Sequence, residues 1–211
     1  MDKRRTDYSL YICTDSGLMS SPTVEESVEA VLRGGATVIQ LREKNASSRE
    51  LYELALRVKA VTDRYGVPLI IDDRLDVALA VDAAGVHLGQ SDLPCTAARR
   101  LLGEDKIVGI TAPTVELAKQ AKAEGADYIG VGAMFVTSTK TDAKPNTREN
   151  LAAIRAAVDI PIVIIGGVKR SNVLTFAGMG IDGAAVISDI IADPDPESAA
   201  REMKAVLEKF R

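Results

Sequence analysis

Eight times along the chain a short run rich in Val, Ile and Leu is followed by a longer stretch with helical periodicity, and this alternation limits the fold more than any other feature. The runs are Leu10 to Cys13, Thr37 to Leu41, Pro68 to Ile71, Gly85 to Leu88, Ile107 to Thr111, Tyr128 to Val131, Pro161 to Ile165 and Gly183 to Ile187. Each is expected to be a strand followed by a helix. In Ser47 to Tyr65, for example, Leu51, Leu54, Ala55, Val58 and Val61 recur at helical spacing between charged residues, and Ser48 reads as the N-cap region. Apolar runs such as Ile162-Val163-Ile164-Ile165 suit strands covered on both faces, as in parallel sheets. Eight βα rounds without a dividing linker predict one α/β domain over residues 1–211, a single (β/α)8 TIM barrel. An open doubly wound sheet is the alternative, but the first strand is not followed by a Gly-x-Gly-x-x-Gly turn.

Composition narrows the function. With 211 residues, 46% hydrophobic and 27% charged, the chain supports a large core and not a disordered state. A net charge of -4 gives no global positive field for nucleic acid or an anionic membrane surface, so any anion must be held by a local site. Cys13 and Cys95 match neither a disulfide framework nor a zinc pattern, which fits a reducing cytoplasm. The basic start Lys3-Arg4-Arg5 is followed by an apolar stretch that Ser9 and Asp15 interrupt, unlike a signal peptide, and no apolar run reaches membrane-spanning length.

In such barrels the reacting groups collect where strands end. After strand 2, Gln40, Arg42 and Lys44 share one face if the chain stays extended, and Arg with Lys suits a di- or triphosphate as well as it suits a solvated turn. After strands 3 and 4 come Asp72-Asp73-Arg74 and His87-Leu88-Gly89-Gln90-Ser91-Asp92. Each Asp taken singly is better read as a helix cap, but carboxylates beside phosphate-binding cations suit Mg²⁺. His87, the only histidine, is more often a hydrogen-bonded core residue than a base, and it excludes a histidine metal triad. Strand 6 leads into Thr137-Ser138-Thr139-Lys140 and Lys144-Pro145-Asn146, a polar loop that could close over a phosphate or simply lie at the surface. Gly166-Gly167 and Ser188, after strands 7 and 8, occupy the place of the usual barrel phosphate site, a reading favoured over two plain tight turns. The ends together describe a metal-assisted anion site and a metal-free one, with no activated nucleophile or placed base between them.

The motifs Gln40-Leu41-Arg42-Glu43-Lys44, Asp73-Arg74-x-Asp76-Val77-Ala78, His87-x-Gly89-Gln90-x-Asp92-x-Pro94, Thr137-x-Thr139-Lys140 and Gly166-Gly167 resemble those of the thiamine phosphate synthase family, from Leu10 to about Pro194. The resemblance implies a (β/α)8 transferase of thiamine biosynthesis. It would couple 4-amino-5-hydroxymethyl-2-methylpyrimidine diphosphate to 4-methyl-5-(2-phosphoethyl)thiazole with Mg²⁺, releasing diphosphate. By resemblance Arg42, Lys44 and Lys140 bind the diphosphate, Asp73 and Asp92 hold Mg²⁺, and Gln40 meets the pyrimidine. Thr137, Thr139, Gly167 and Ser188 would hold the thiazole phosphate, with Asp72, Thr111 and Ile187 also against substrate and Thr111 joining Arg42, Lys44 and Lys140 in catalysis. The chain departs from many members at Asp72, where they have Asn, at Thr111, where they have Ser, and at Ala133 and Val136, where they have Pro.

Two rival readings fit the same barrel. A thiazole tautomerase shares the barrel but needs neither Mg²⁺ carboxylates nor a diphosphate clamp, with His87 as its candidate base. A non-catalytic sensor of thiamine precursors would use many of the same groups. The sequence leaves open whether the chain forms a homo-oligomer.

Overall fold

The computed structural model describes residues 3–136 and 145–210. Eight parallel strands close into a barrel in chain order. They are β1 (Leu10–Cys13), β2 (Val38–Leu41), β3 (Leu69–Asp72), β4 (Gly85–Leu88), β5 (Ile107–Thr111), β6 (Tyr128–Val131), β7 (Ile162–Ile164) and β8 (Gly183–Val186). The ring closes where β8 pairs with β1, Leu10 lying opposite Ala184. The helices are α1 (Val24–Arg33), α2 (Ser48–Tyr65), α3 (Leu75–Ala80), α4 (Cys95–Leu102), α5 (Val115–Ala123), α6 (Arg148–Ala157), α7 (Ser188–Ile191) and α8 (Pro196–Leu207).

Two expectations need correction. The seventh round carries no α-helix: β7 is followed by a 3-10 turn at Val173–Phe176, and two helices, α7 and α8, follow β8 instead. The cap of α2 is Ser47, not Ser48, because Ser47 accepts from the Glu50 N–H while the Glu50 carboxylate accepts from the Ser47 N–H. That reciprocal pair satisfies two otherwise orphaned donors and makes Ser48 the first helical residue.

Strand alternation divides the core in two. One set of side chains, including Leu10, Ile12, Ile39, Leu41, Ile71, Ile129 and Ile164, packs outward against the helices. The other set, Tyr11, Cys13, Val38, Ile70, Ile107, Tyr128, Val163 and Ala185, fills the barrel interior. Burying each large aliphatic side chain contributes about 1.5–3 kcal/mol, so both layers hold the strands in register. Because residues two apart share a face, the interior set also decides which residues emerge at the strand ends. Gln40 follows Val38, Asp72 follows Ile70, Ile165 follows Val163 and Ile187 follows Ala185 on the inward face.

Candidate active site

A cavity of about 680 Å³ opens at the C-terminal ends of the strands. Gln40, Arg42, Lys44, Asp72, Asp73, Asp92, Thr111, Gly167, Ile187 and Ser188 all line it, so the structure brings together every expected site residue that it describes. Thr137, Thr139, Lys140 and Lys144 lie outside the described residues. The size suits one or two small ligands.

The cationic side is built on β2. Arg42 Nη1 donates to Asp15 Oδ2 at 2.9 Å, and its backbone N–H donates to Thr14 Oγ1 at 3.0 Å. The β1 end thus aims the guanidinium, whose Nε stays 3.9 Å from Asp72 Oδ2. Lys44 Nζ lies 3.0 Å from Asp72 Oδ2 and also pairs with Asp73 Oδ2. Burial works against the Lys44 ammonium, but its bonds to these two carboxylates prevail and raise its pKa.

The acidic side departs from strand alternation at one residue. An extended strand end would turn Asp72 and Asp73 to opposite faces. Asp73 instead has φ +59°, so the chain turns there and both carboxylates reach Lys44. The Asp73 N–H donates to the His87 carbonyl at 2.9 Å, which ties this turn to β4. Burial, reinforced by the Asp73 charge and opposed by Lys44 and Arg42, pushes Asp72 up to about 6. Asp92 accepts from the Gly89 N–H at 2.7 Å. Its pKa is also raised, first by burial and then, against the Gly89 bond, by the Asp73 carboxyl.

The helix-cap reading fails for all three carboxylates, since the caps of α3 and α4 are Arg74 and Pro94 and neither uses a side-chain bond. Among the described residues Asp72, Asp73 and Asp92 face only Arg42 and Lys44 across the cavity mouth, an arrangement with surplus negative charge. No group of three or more His, Cys, Asp or Glu able to hold a metal is gathered among the described residues. The Asp73 and Asp92 carboxylates, close enough for Asp73 to raise the pKa of Asp92, nevertheless fit a hard divalent cation whose remaining ligands are water and phosphate oxygens.

The opposite wall is made of backbone. Gly166 and Gly167 have φ +91° and +66°, and a Cβ on Gly167 would lie 2.7 Å from Phe135 Cβ and 2.8 Å from the Val136 carbonyl oxygen. Bonds from Met134 N–H to Ile165 O and from Phe135 N–H to Gly166 O, both 2.9 Å, strap the chain after β6 along the end of β7. Asn172 Nδ2 donates to Gly167 O at 2.9 Å and holds the turn from behind. Ser188 stands beside this wall at the start of α7.

Some contributors escaped the sequence reading. Tyr11 and Tyr128 line the cavity floor, and Gln90 Nε2 donates to the Thr111 carbonyl at 2.6 Å. His87, expected as a hydrogen-bonded core residue, is bonded on both ring nitrogens and also lines the cavity. Position two before a strand end would have flagged Tyr11, which sits on the same face as Cys13.

The architecture has known counterparts. A sequence profile described as thiamine monophosphate synthase matches residues 10–190. The thiamine-phosphate synthase of Clostridium botulinum (strain Eklund 17B / Type B) is 51% identical over 208 residues, covering 99% of this chain and 98% of that protein. That of Ruminiclostridium cellulolyticum is 53% identical over 201 residues, covering 95% and 96%. Thiamine phosphate pyrophosphorylase from Pyrococcus furiosus superposes with a TM-score of 0.89 at 39% identity, covering 98% of both chains. A 3-hexulose-6-phosphate synthase superposes at 0.66 with 20% identity, which shows the barrel alone. With the profile and these relatives spanning nearly the whole chain, the protein belongs to the thiamine monophosphate synthase family.

Proposed function

We propose that this chain makes thiamine phosphate by a dissociative route, with the pyrimidine diphosphate at the β2 to β4 ends and the thiazole phosphate at the β7 to β8 ends. The observation that carries the reading is that one cavity is lined by cations and paired carboxylates on one side and by glycine backbone on the other. Relatives near 50% identity named thiamine-phosphate synthase favour this activity over the tautomerase and the sensor. We read residues 1–211 as one domain, acting on small molecules without nucleic acid or membrane. Among the described residues no helix is long and apolar enough to cross a membrane, and a cytoplasmic setting is the reading that composition supports.

Arg42 and Lys44 bind the diphosphate, Arg42 already aimed by Asp15, and Lys140 joins them. Gln40 meets the pyrimidine, with Asp72, Thr111 and Ile187 around the rings, while Gly167, Ser188, Thr137 and Thr139 hold the thiazole phosphate. Asp73 and Asp92 would hold Mg²⁺, which when bound neutralises diphosphate charge and eases its departure. The bond between the pyrimidine methylene carbon and the diphosphate oxygen breaks, and its electron pair leaves with the diphosphate. The resulting cation is stabilised by the ring amino group. The thiazole nitrogen then supplies the pair for the new carbon–nitrogen bond. No proton moves, which accounts for a site with cations and positioning groups but no activated base.

The test is to mix the purified protein with both precursors and Mg²⁺ and to assay thiamine phosphate and diphosphate. Equimolar appearance of both supports the reading. Binding of both ligands without product would favour a sensor.

A further inference from the structure

Beneath the cavity, side chains from five strands form one continuous hydrogen-bonded chain. Gln40 Nε2 on β2 donates to the Tyr11 hydroxyl on β1 at 2.9 Å. The Tyr11 and Tyr128 hydroxyls are 2.8 Å apart, Tyr128 being on β6. The Tyr128 hydroxyl is 2.9 Å from His87 Nδ1 on β4, and His87 Nε2 is 2.9 Å from Thr111 Oγ1 on β5. Room for the rings is built in. A Cβ on Gly109 would fall 2.2 Å from the Tyr128 ring, and one on Gly130 would fall 3.1 Å from His87 Cε1. Both ends of the chain, Gln40 and Thr111, line the cavity.

Counting hydrogens gives the chain a direction. Each phenol has one hydrogen to donate. Burial raises the pKa of both phenols well above the ordinary tyrosine value, so they stay protonated. With Gln40 donating to Tyr11, and Tyr11 bonded among the described residues only to Gln40 and Tyr128, its hydrogen belongs on Tyr128. The Tyr128 hydrogen then belongs on His87 Nδ1. His87 is thereby the Nε2–H tautomer, donating to Thr111 and leaving the Thr111 hydroxyl hydrogen for the cavity. Turning the Gln40 amide over would reverse every bond in the series.

We propose that Tyr11, Tyr128 and His87 are positioning residues that hold Gln40 with its carbonyl oxygen, and Thr111 with its hydroxyl hydrogen, toward the pyrimidine. The idea rests on the proposed function and deepens it. An aminopyrimidine offers an amino donor beside ring-nitrogen acceptors, which an amide oxygen and a hydroxyl hydrogen complement. The match matters most as diphosphate leaves, because positive charge then spreads onto the ring amino group and its bond to an amide oxygen strengthens. The reversed chain would set amide hydrogens against amino hydrogens.

His87 is the only histidine, so ¹⁵N-histidine NMR reads the direction of the chain without interference and without substrate. In the ligand-free protein near neutral pH the expected spectrum is that of neutral imidazole protonated at Nε2. In Tyr128→Phe, which deletes one hydroxyl, the Nδ1–H tautomer should become populated. In that variant kcat/KM for the pyrimidine diphosphate should fall about tenfold, equivalent to ~1.4 kcal/mol. KM for the thiazole phosphate should stay unchanged. An Nδ1–H tautomer or an imidazolium in the unaltered protein would overturn the proposal. So would a Tyr128→Phe protein with unchanged tautomer and kcat/KM, or with equal losses for both substrates. Should Tyr128→Phe fold poorly by circular dichroism, Tyr11→Phe and the spectrum of the unaltered protein decide. Failure to make thiamine phosphate would instead refute the functional reading, whatever the spectrum shows.

Discussion

Replacing Gly167 by Ala should separate the two ligand sites. The added Cβ would lie 2.7 Å from Phe135 Cβ and 2.8 Å from the Val136 carbonyl oxygen, closer than real contacts of this kind, in a residue at φ +66°. Left-handed backbone costs a non-glycine residue roughly 1–2 kcal/mol, and forcing an extra carbon into packed surroundings costs about 1–3 kcal/mol more. Folding stability should therefore drop by about 2–5 kcal/mol, lowering Tm by roughly 4–20 °C in a chain of this size. The relief available is for the strap at Phe135 and Val136 to move off β7, displacing the backbone proposed to face the thiazole phosphate. Loss of one charged hydrogen bond, about 1.5–3 kcal/mol, would weaken that ligand roughly 10- to 150-fold. The pyrimidine diphosphate, proposed to sit at the β2 to β4 ends, should keep its affinity. Calorimetric titration of each ligand separately, below the variant's melting range, makes the comparison. Equal weakening of both ligands, or no weakening of the thiazole phosphate, would refute the assignment of this wall.

Removing divalent cations with excess chelator should abolish turnover, since Asp73 and Asp92 repel a diphosphate unless a metal lies between them; full turnover in chelator would contradict this. Asp73→Asn should lose Mg²⁺ activation and nearly all activity, whereas Asp72→Asn should keep most activity and tighten the diphosphate by freeing Lys44 from a carboxylate 3.0 Å away. Titrating Mg²⁺ against both variants checks the pair, and greater damage from Asp72→Asn would reverse their roles. Lys140→Ala should lower kcat on the order of 10²- to 10³-fold, as loss of one transition-state donor does, with an effect confined to KM placing Lys140 in ground-state binding.

The barrel was legible because its signals are local and repeated. Buried parallel strands must be apolar on both faces, and the helices that cover them must be apolar on one, so eight copies of the contrast survive errors at any single boundary. The weak points were those where tertiary packing overrides a local pattern. After β7 the chain makes only a 3-10 turn at Val173–Phe176, while two helices, α7 and α8, follow β8. Ser47 and Ser48 offer the same hydroxyl to the start of α2, and only the position of Glu50 three residues after Ser47 separates them.

The site was legible to the extent that period two carries inward-facing residues out to the strand ends. Gln40, Thr111 and Ile187 reach the cavity because their strands continue the alternation begun inside the barrel. Asp73 breaks that rule. At φ +59° it leaves the strand period, and Lys44, which an extended chain would bring to Asp72 alone, touches both carboxylates. A backbone turn at a non-glycine residue leaves no mark in a sequence pattern of alternating faces. Tyr11 and Tyr128 were hidden for the opposite reason. They obey the alternation, and an aromatic on a strand's inner face reads as packing until its hydroxyl is found bonded across the barrel. In both cases the missing information is a contact between strands distant in sequence, and the departure from periodicity at Asp73 is what lets adjacent carboxylates meet the same cation.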